Sequence, residues 1–263
     1  MPMKTIKTLA MALLASMALI GCQPTPDSKV KEDVQPNSTA VTDTQTTPTT
    51  AIARENTAPV SSEEVTAQPI TILALGDSLT EGLGLPKEES YPAQLEAALK
   101  QAGYSNVTVV NSGLSGETST GLVNRVDWAL KTKPDITILT VGANDAMRGI
   151  EVDTIESNIR NTIERLQASG STVILGGMQI YQNLGNDYVK TFSDMYPRIA
   201  EDTGVAFIPF FLEGVAADAE LNQDDAIHPT KEGYTRIVSN NIMPVLKPVL
   251  TDVVAKKAAQ PAA

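Results

Sequence analysis

From residue 69 onward the chain alternates between two patterns. Short apolar runs rich in β-branched residues are followed by longer stretches whose apolar positions return every three or four residues. The runs 70–75, 107–110, 136–141, 172–175 and 205–208 predict five strands. Leu95, Ala98 and Leu99 mark a first helix, Leu122, Val126 and Ala129 a second, and Ile155, Ile159, Ile163 and Leu166 a third. Two more helices fit 186–202 and 230–246. Apolar strands alternating with helices predict an α/β domain with a parallel sheet covered on both faces.

The polar clusters fall where such a sheet binds ligands, at the carboxyl ends of its strands. Gly76-Asp77-Ser78-Leu79 follows the first strand and Ser112-Gly113-Leu114-Ser115-Gly116 the second. Gly142-Ala143-Asn144-Asp145 follows the third, and Asp225-Ala226-Ile227-His228-Pro229 precedes the last helix. Each cluster alone is weak; their convergence on one rim carries the argument.

Their chemistry is that of nucleophilic acyl transfer. A serine nucleophile needs a base, a group that fixes the tautomer of that base, and donors for the oxyanion. His228 is the only histidine of the chain, so it alone can serve as an imidazole base. Ser78 is the candidate nucleophile and Asp225 the candidate orienting carboxylate, three residues before the histidine. Candidate oxyanion donors are the N–H groups of Ser78 and Gly113 and the side-chain amide of Asn144.

These four blocks resemble the SGNH or GDSL hydrolases, whose serine, glycine, asparagine and histidine are matched by Ser78, Gly113, Asn144 and His228. The resemblance covers about residues 70–248. Among branches it is nearest to bacterial arylesterases and the acyl-CoA thioesterase I/lysophospholipase I group, through Val109-Val110-Asn111-Ser112-Gly113-Leu114-Ser115-Gly116-Glu117-Thr118, Pro209-Phe210-Phe211-Leu212-Glu213-Gly214-Val215 and Leu221-Asn222-Gln223-Asp224-Asp225. It implies a three-layer α/β/α, flavodoxin-like fold with a five-stranded parallel sheet. It also implies hydrolysis of carboxylic esters or thioesters, lysophospholipids among them, through an acyl-Ser78 intermediate, without a cofactor. Two positions depart from the pattern. Ala226 stands where relatives usually carry glycine, which requires a compatible backbone angle; a negative φ would be harmless. Tyr181 and Gln182 stand where relatives often have a proline-rich loop, which bears on acyl-chain preference.

Blander readings compete at each position. Ser78 could cap a helix, and Asn144 and Gly113 could serve turns. Asp224 rivals Asp225, and Asp145 is a more distant rival. Asp77 and Asp145 are expected to hold loops through backbone hydrogen bonds. Trp128, Phe210 and Phe211 are expected in the core. Acyl-pocket length is expected to depend on the loops at 149–151 and 181–187. A carbohydrate O-acetyl esterase on the same scaffold is the alternative activity, and a non-catalytic envelope lipoprotein a further one. No Gly-Lys-Ser/Thr follows the glycine-rich loop at 76–84, which speaks against a phosphate-binding loop. One histidine and one cysteine speak against a metal site.

The segment before residue 69 reads differently. Lys4 and Lys7, an apolar stretch and Leu19-Ile20-Gly21-Cys22 resemble a lipoprotein signal over 1–21, with Cys22 lipidated. Cys22 is the only cysteine, so no disulfide can form within the chain. Residues 22–68 are rich in Thr, Pro, Ser and acidic residues, and no aromatic residue precedes Tyr91. This composition predicts a disordered tether with a reach of about 35–40 Å. The folded domain is expected over 69–250 and a flexible tail over 251–263. The expected location is the cell envelope, lipid-anchored to a membrane; Gln23 suits an outer-membrane destination in a Gram-negative cell. The formal charge of −11, with no basic stripe, argues against nucleic acid. The expected partner is a small ester or lipid-like substrate, with no obligate protein partner evident.

Overall fold

The computed structural model describes residues 68–259. The lipoprotein signal, Cys22 and all but the last residue of the expected tether lie outside the described residues.

Five parallel strands form one sheet in the order β2-β1-β3-β4-β5. They are β1 (Ile70–Gly76), β2 (Val107–Gly113), β3 (Ile136–Thr140), β4 (Thr172–Gly176) and β5 (Ala206–Ile208). β1 lies between β2 and β3, and Ile70, Ile72, Leu73, Ala74 and Leu75 are all buried. A strand covered on both faces has no use for polar alternation, which explains why Thr71 is the one polar side chain in its apolar run. All five expected strands are present. β2 runs three residues past its expected end at Val110, because Asn111, Ser112 and Gly113 pair with Ala74, Leu75 and Gly76. Backbone pairing there outweighs the polar side chains.

Helices flank the sheet in two groups. α3 (Ser119–Ala129) packs on α5 (Val152–Ala168), which packs on α6 (Asn186–Thr203). α2 (Tyr91–Gln101), α7 (Lys231–Arg236) and α8 (Met243–Ala258) make up the other layer, with α2 against β2 and α8 against β4 and β5. Two short helices, α1 (Ser78–Glu81) and α4 (Ala143–Met147), start directly after β1 and β3.

The last expected helix, 230–246, differs in two ways. Its middle, Ile237–Ile242, is a π-helical turn. Pro244 follows it and has no N–H to return to Asn240, so the ladder shifts there. The wider turn frees the side chain of Asn241 to donate to the carbonyls of Phe211 and Glu213, both at 3.0 Å. α8 then continues to Ala258, so the tail expected from residue 251 is helical over most of its length. Leu246, Leu250 and Val253 extend one buried face, and Lys257 pairs with Asp135 at 2.7 Å.

Strand order 2-1-3-4-5 places the reversal of winding between β1 and β3. A crevice opens there at the carboxyl ends of the strands. α1 and α4, which carry Ser78 and Asn144, both begin at that point.

Candidate active site

Ser78 is the first residue of α1. The Asp77 side chain caps that helix by accepting the N–H of Leu79 at 3.0 Å. The N–H of Ser78, in the unpaired first turn, has no acceptor among the described residues. The strand-to-helix bend is tight. A Cβ on Gly76 would lie 2.3 Å from the Thr140 carbonyl, so no larger residue fits. On the far side, the buried Tyr234 hydroxyl donates to the Leu79 carbonyl at 2.9 Å and fastens α1 to α7.

His228 reaches Ser78 across 150 positions of sequence, with Nε2 2.9 Å from Oγ. Its Nδ1 lies 2.6 Å from Asp225 Oδ2. A carboxylate only accepts, so the Nδ1 proton faces Asp225 and Nε2 is left to accept from the serine. Asp225 Oδ1 takes the N–H groups of Ile227 at 2.9 Å and His228 at 3.0 Å. Partial burial alone would raise the Asp225 pKa. The backbone and ring donors of His228 and the N–H of Ile227 outweigh it and hold the carboxyl down at about 2. No bond from Asp224 enters this chain of contacts.

The loop bearing Asp225 and His228 is fastened at its base. Gln223 donates its backbone N–H to the His228 carbonyl at 2.8 Å, and Thr230 donates to Leu221 at 2.9 Å. The Gln223 side chain also donates to the Leu83 carbonyl at 2.8 Å, joining this loop to the one after α1. Ala226 sits at φ 57, in the left-handed region and not at the harmless negative angle. The departure from glycine therefore carries strain.

Asn144 stands at the start of α4, its amide 3.4 Å from Asp77 Oδ2. Asp77 is pushed up to about 6 by burial; the N–H of Leu79 and the charge of His228 pull the other way, and nearby Glu117 adds to the rise. Asp145 is fully buried and accepts both the N–H (2.8 Å) and the hydroxyl (2.7 Å) of Ser119. Both aspartates thus hold loops, as expected.

Gly113 requires a correction. Its N–H donates to Asn111 Oδ1 at 2.9 Å, in the local turn that asparagine favours two residues before a free N–H. A Cβ there would lie 2.0 Å from the backbone nitrogen of Glu81, so Gly113 is glycine to let α1 pass. Gly116, three residues on, has an N–H with no acceptor among the described residues. Its carbonyl is held at 2.8 Å by Arg148, the residue following α4. Sequence reasoning quoted Gly116 but did not single it out.

It also missed Arg125 and Glu117. Arg125 donates to the Gly76 carbonyl (3.2 Å), the Ser112 carbonyl and the Ser112 hydroxyl (both 2.8 Å), joining the ends of β1 and β2. Its charge is met by Glu117, which is 6 % exposed. No motif marks this pair; only the fold brings it to the carboxyl ends of β1 and β2.

Beside the serine lies a cleft of about 230 Å³ walled by Leu79, Met178, Ile180, Phe210, Leu212 and Ile227, among others. Phe210 is thus cleft wall, whereas Phe211 is fully buried. Trp128, expected in the core, is 62 % exposed on α3, because the buried face of that helix is taken by Leu122, Val126 and Ala129. Of the two loops expected to shape the pocket, Tyr181 and Leu184 line it; on the side of the first loop, Met147 does so and residues 149–151 do not.

A parallel α/β sheet with serine, histidine and aspartate hydrogen-bonded in series at its carboxyl rim defines the architecture of an acyl hydrolase. Residues 74–236 match the GDSL-like Lipase/Acylhydrolase family, and the chain belongs to that family. It is 38% identical over 162 residues to an arylesterase of Vibrio mimicus, covering 61% of this chain and 80% of that one. It is 32% identical over 163 residues to thioesterase 1/protease 1/lysophospholipase L1 of Escherichia coli K12, covering 62% and 76%. The crystal structure of TesA matches with a TM-score of 0.65 at 35% identity, over 68% of this chain and 99% of that one. These relatives make the chain a carboxylic ester hydrolase by family.

Proposed function

We propose that the protein hydrolyses acyl esters and thioesters through an acyl-enzyme on Ser78. The observation that carries this reading is the unbroken series from Ser78 Oγ through His228 to Asp225, at 2.9 and 2.6 Å. Ser78 Oγ attacks the acyl carbon while His228 Nε2 takes its proton. Asp225 fixes the tautomer and stabilises the imidazolium. The oxyanion is met by the N–H groups of Ser78 and Gly116 and by the Asn144 amide, with Gly113 shaping the turn beneath. His228 returns the proton to the leaving alcohol or thiol, and water then repeats the sequence on the acyl-serine.

The acyl group occupies the apolar cleft. Its volume is below the roughly 300–1,000 Å³ of drug-sized sites, which favours short and medium chains. A carbohydrate acetyl esterase would need polar groups for sugar hydroxyls, and the wall beside Ser78 is mainly apolar. Cys22 is the proposed lipid anchor, holding the enzyme at a membrane of the cell envelope through the segment 23–68. The Leu19-Ile20-Gly21-Cys22 pattern supports that placement.

The test is turnover of p-nitrophenyl esters from acetyl to palmitoyl by the purified protein and its Ser78→Ala variant. Loss of about 10⁴–10⁶-fold in kcat on Ser78→Ala is expected. Undiminished turnover by a folded variant would end the acyl-serine reading.

A further inference from the structure

The cleft contains one cross-link that the hydrolytic chemistry does not use. Tyr181, on the loop after β4, donates its hydroxyl to the carbonyl of Ala226 at 3.2 Å. Ala226 lies between Asp225 and His228, on the loop between β5 and α7. Both residues line the cleft, so this bond joins two of its walls. Tyr181 is 57 % exposed, which places it on the solvent side, at the mouth.

Two further observations point to the same spot. Ala226 holds a left-handed backbone angle that alanine resists, and such a residue persists only where its surroundings fix it. Its N–H goes to the Gln223 carbonyl at 2.9 Å, and its carbonyl goes to Tyr181. Around the mouth, Met147, Leu184 and Ile227 are all exposed although large and apolar. An acyl chain longer than the cleft would leave it over these side chains, and Tyr181 stands among them.

We propose that Tyr181 is a specificity-determining residue: with its hydroxyl latched to Ala226, its ring bars the outer end of the cleft and limits acyl-chain length. The proposal rests on the acyl-hydrolase reading above. A tyrosine that only steadied the Asp225–His228 loop would change every substrate alike, because all substrates use the same base. A bar across the mouth discriminates by length.

The test compares the full chain with Tyr181→Phe and Tyr181→Ala on the ester series, reading the ratio of palmitoyl to acetyl kcat/KM. The ratio is expected to rise about tenfold or more in Tyr181→Ala, the scale on which apolar pockets discriminate chain length. It should rise by a smaller factor in Tyr181→Phe, which keeps the ring and loses the latch. An unchanged ratio in both variants, whatever their absolute rates, would overturn the proposal. So would a rise in Tyr181→Ala with Tyr181→Phe matching the unmodified protein, since the latch would then be idle. Absence of Ser78-dependent turnover in the unmodified protein would overturn the hydrolase reading itself, and this proposal with it.

Discussion

The amide of Asn144 and the carboxylate of Asp77 face each other at 3.4 Å, one at the end of β3 and the other at the end of β1. The carboxylate is 2 % exposed and titrates at about 6 against an ordinary 3.8. An acid raised by folding binds more protons in the fold than in the unfolded chain between these values, so stability falls as pH rises from 3.8 to about 6. The cost once ionised is on the order of 3 kcal/mol. Asp77→Asn is expected to remove this pH dependence and to raise stability at pH 7. Urea unfolding of both proteins from pH 4 to 8 checks it. Parallel curves would refute the assignment.

Asp225 and Asp224 are expected to separate cleanly. Asp225→Asn should cost about 10⁴ in kcat by leaving His228 in the wrong tautomer. Asp224→Asn, a surface change worth at most about 0.5 kcal/mol, should leave kcat near the unmodified value. With its carboxyl at about 2, Asp225 stabilises the fold above pH 3.8, and this is lost as pH falls toward 2. Solvent screening keeps that contribution small, since the side chain is 46 % exposed. Steady-state kinetics of the two variants decide the matter, and equal losses would be incompatible with the geometry.

Asn144→Ala removes one of the proposed oxyanion donors and is expected to lower kcat by about 10²–10³ with little change in KM. A change confined to KM would mean that the amide binds the ground state and the transition state equally.

Arg125→Met leaves Glu117 buried without its partner, and a loss of about 3–5 kcal/mol is expected in chemical denaturation. Adding Glu117→Gln should restore part of it. Additive losses in the double variant would show that the two side chains are not coupled.

Ala226→Gly relieves a left-handed alanine at a cost of about 1–2 kcal/mol, partly offset by greater freedom of the unfolded chain. A net gain of up to about 1 kcal/mol is expected, or about 2–4 °C in Tm. A lower Tm would mean that the turn is held without strain.

Much of this protein was legible in the order of its residues. Five apolar runs separated by helical periodicities point to a parallel sheet, because strands covered on both faces, as β1 and β3 are, read as nearly continuous apolar runs. The lone histidine, the carboxylate three positions before it and the serine after β1 were legible as well, because local turns and strand ends place them. What the sequence alone could not decide lies where side chains compete for the same backbone groups. Asn111 takes the N–H of Gly113, whereas that of Gly116 has no acceptor among the described residues. Arg125 reaches Gly76 across 49 positions, Tyr234 reaches Leu79 across 155, and Tyr181 reaches Ala226 across 45. Periodicity reports which face a residue turns to the core. Which hydrogen bond wins there depends on distances that exist only once the sheet has formed.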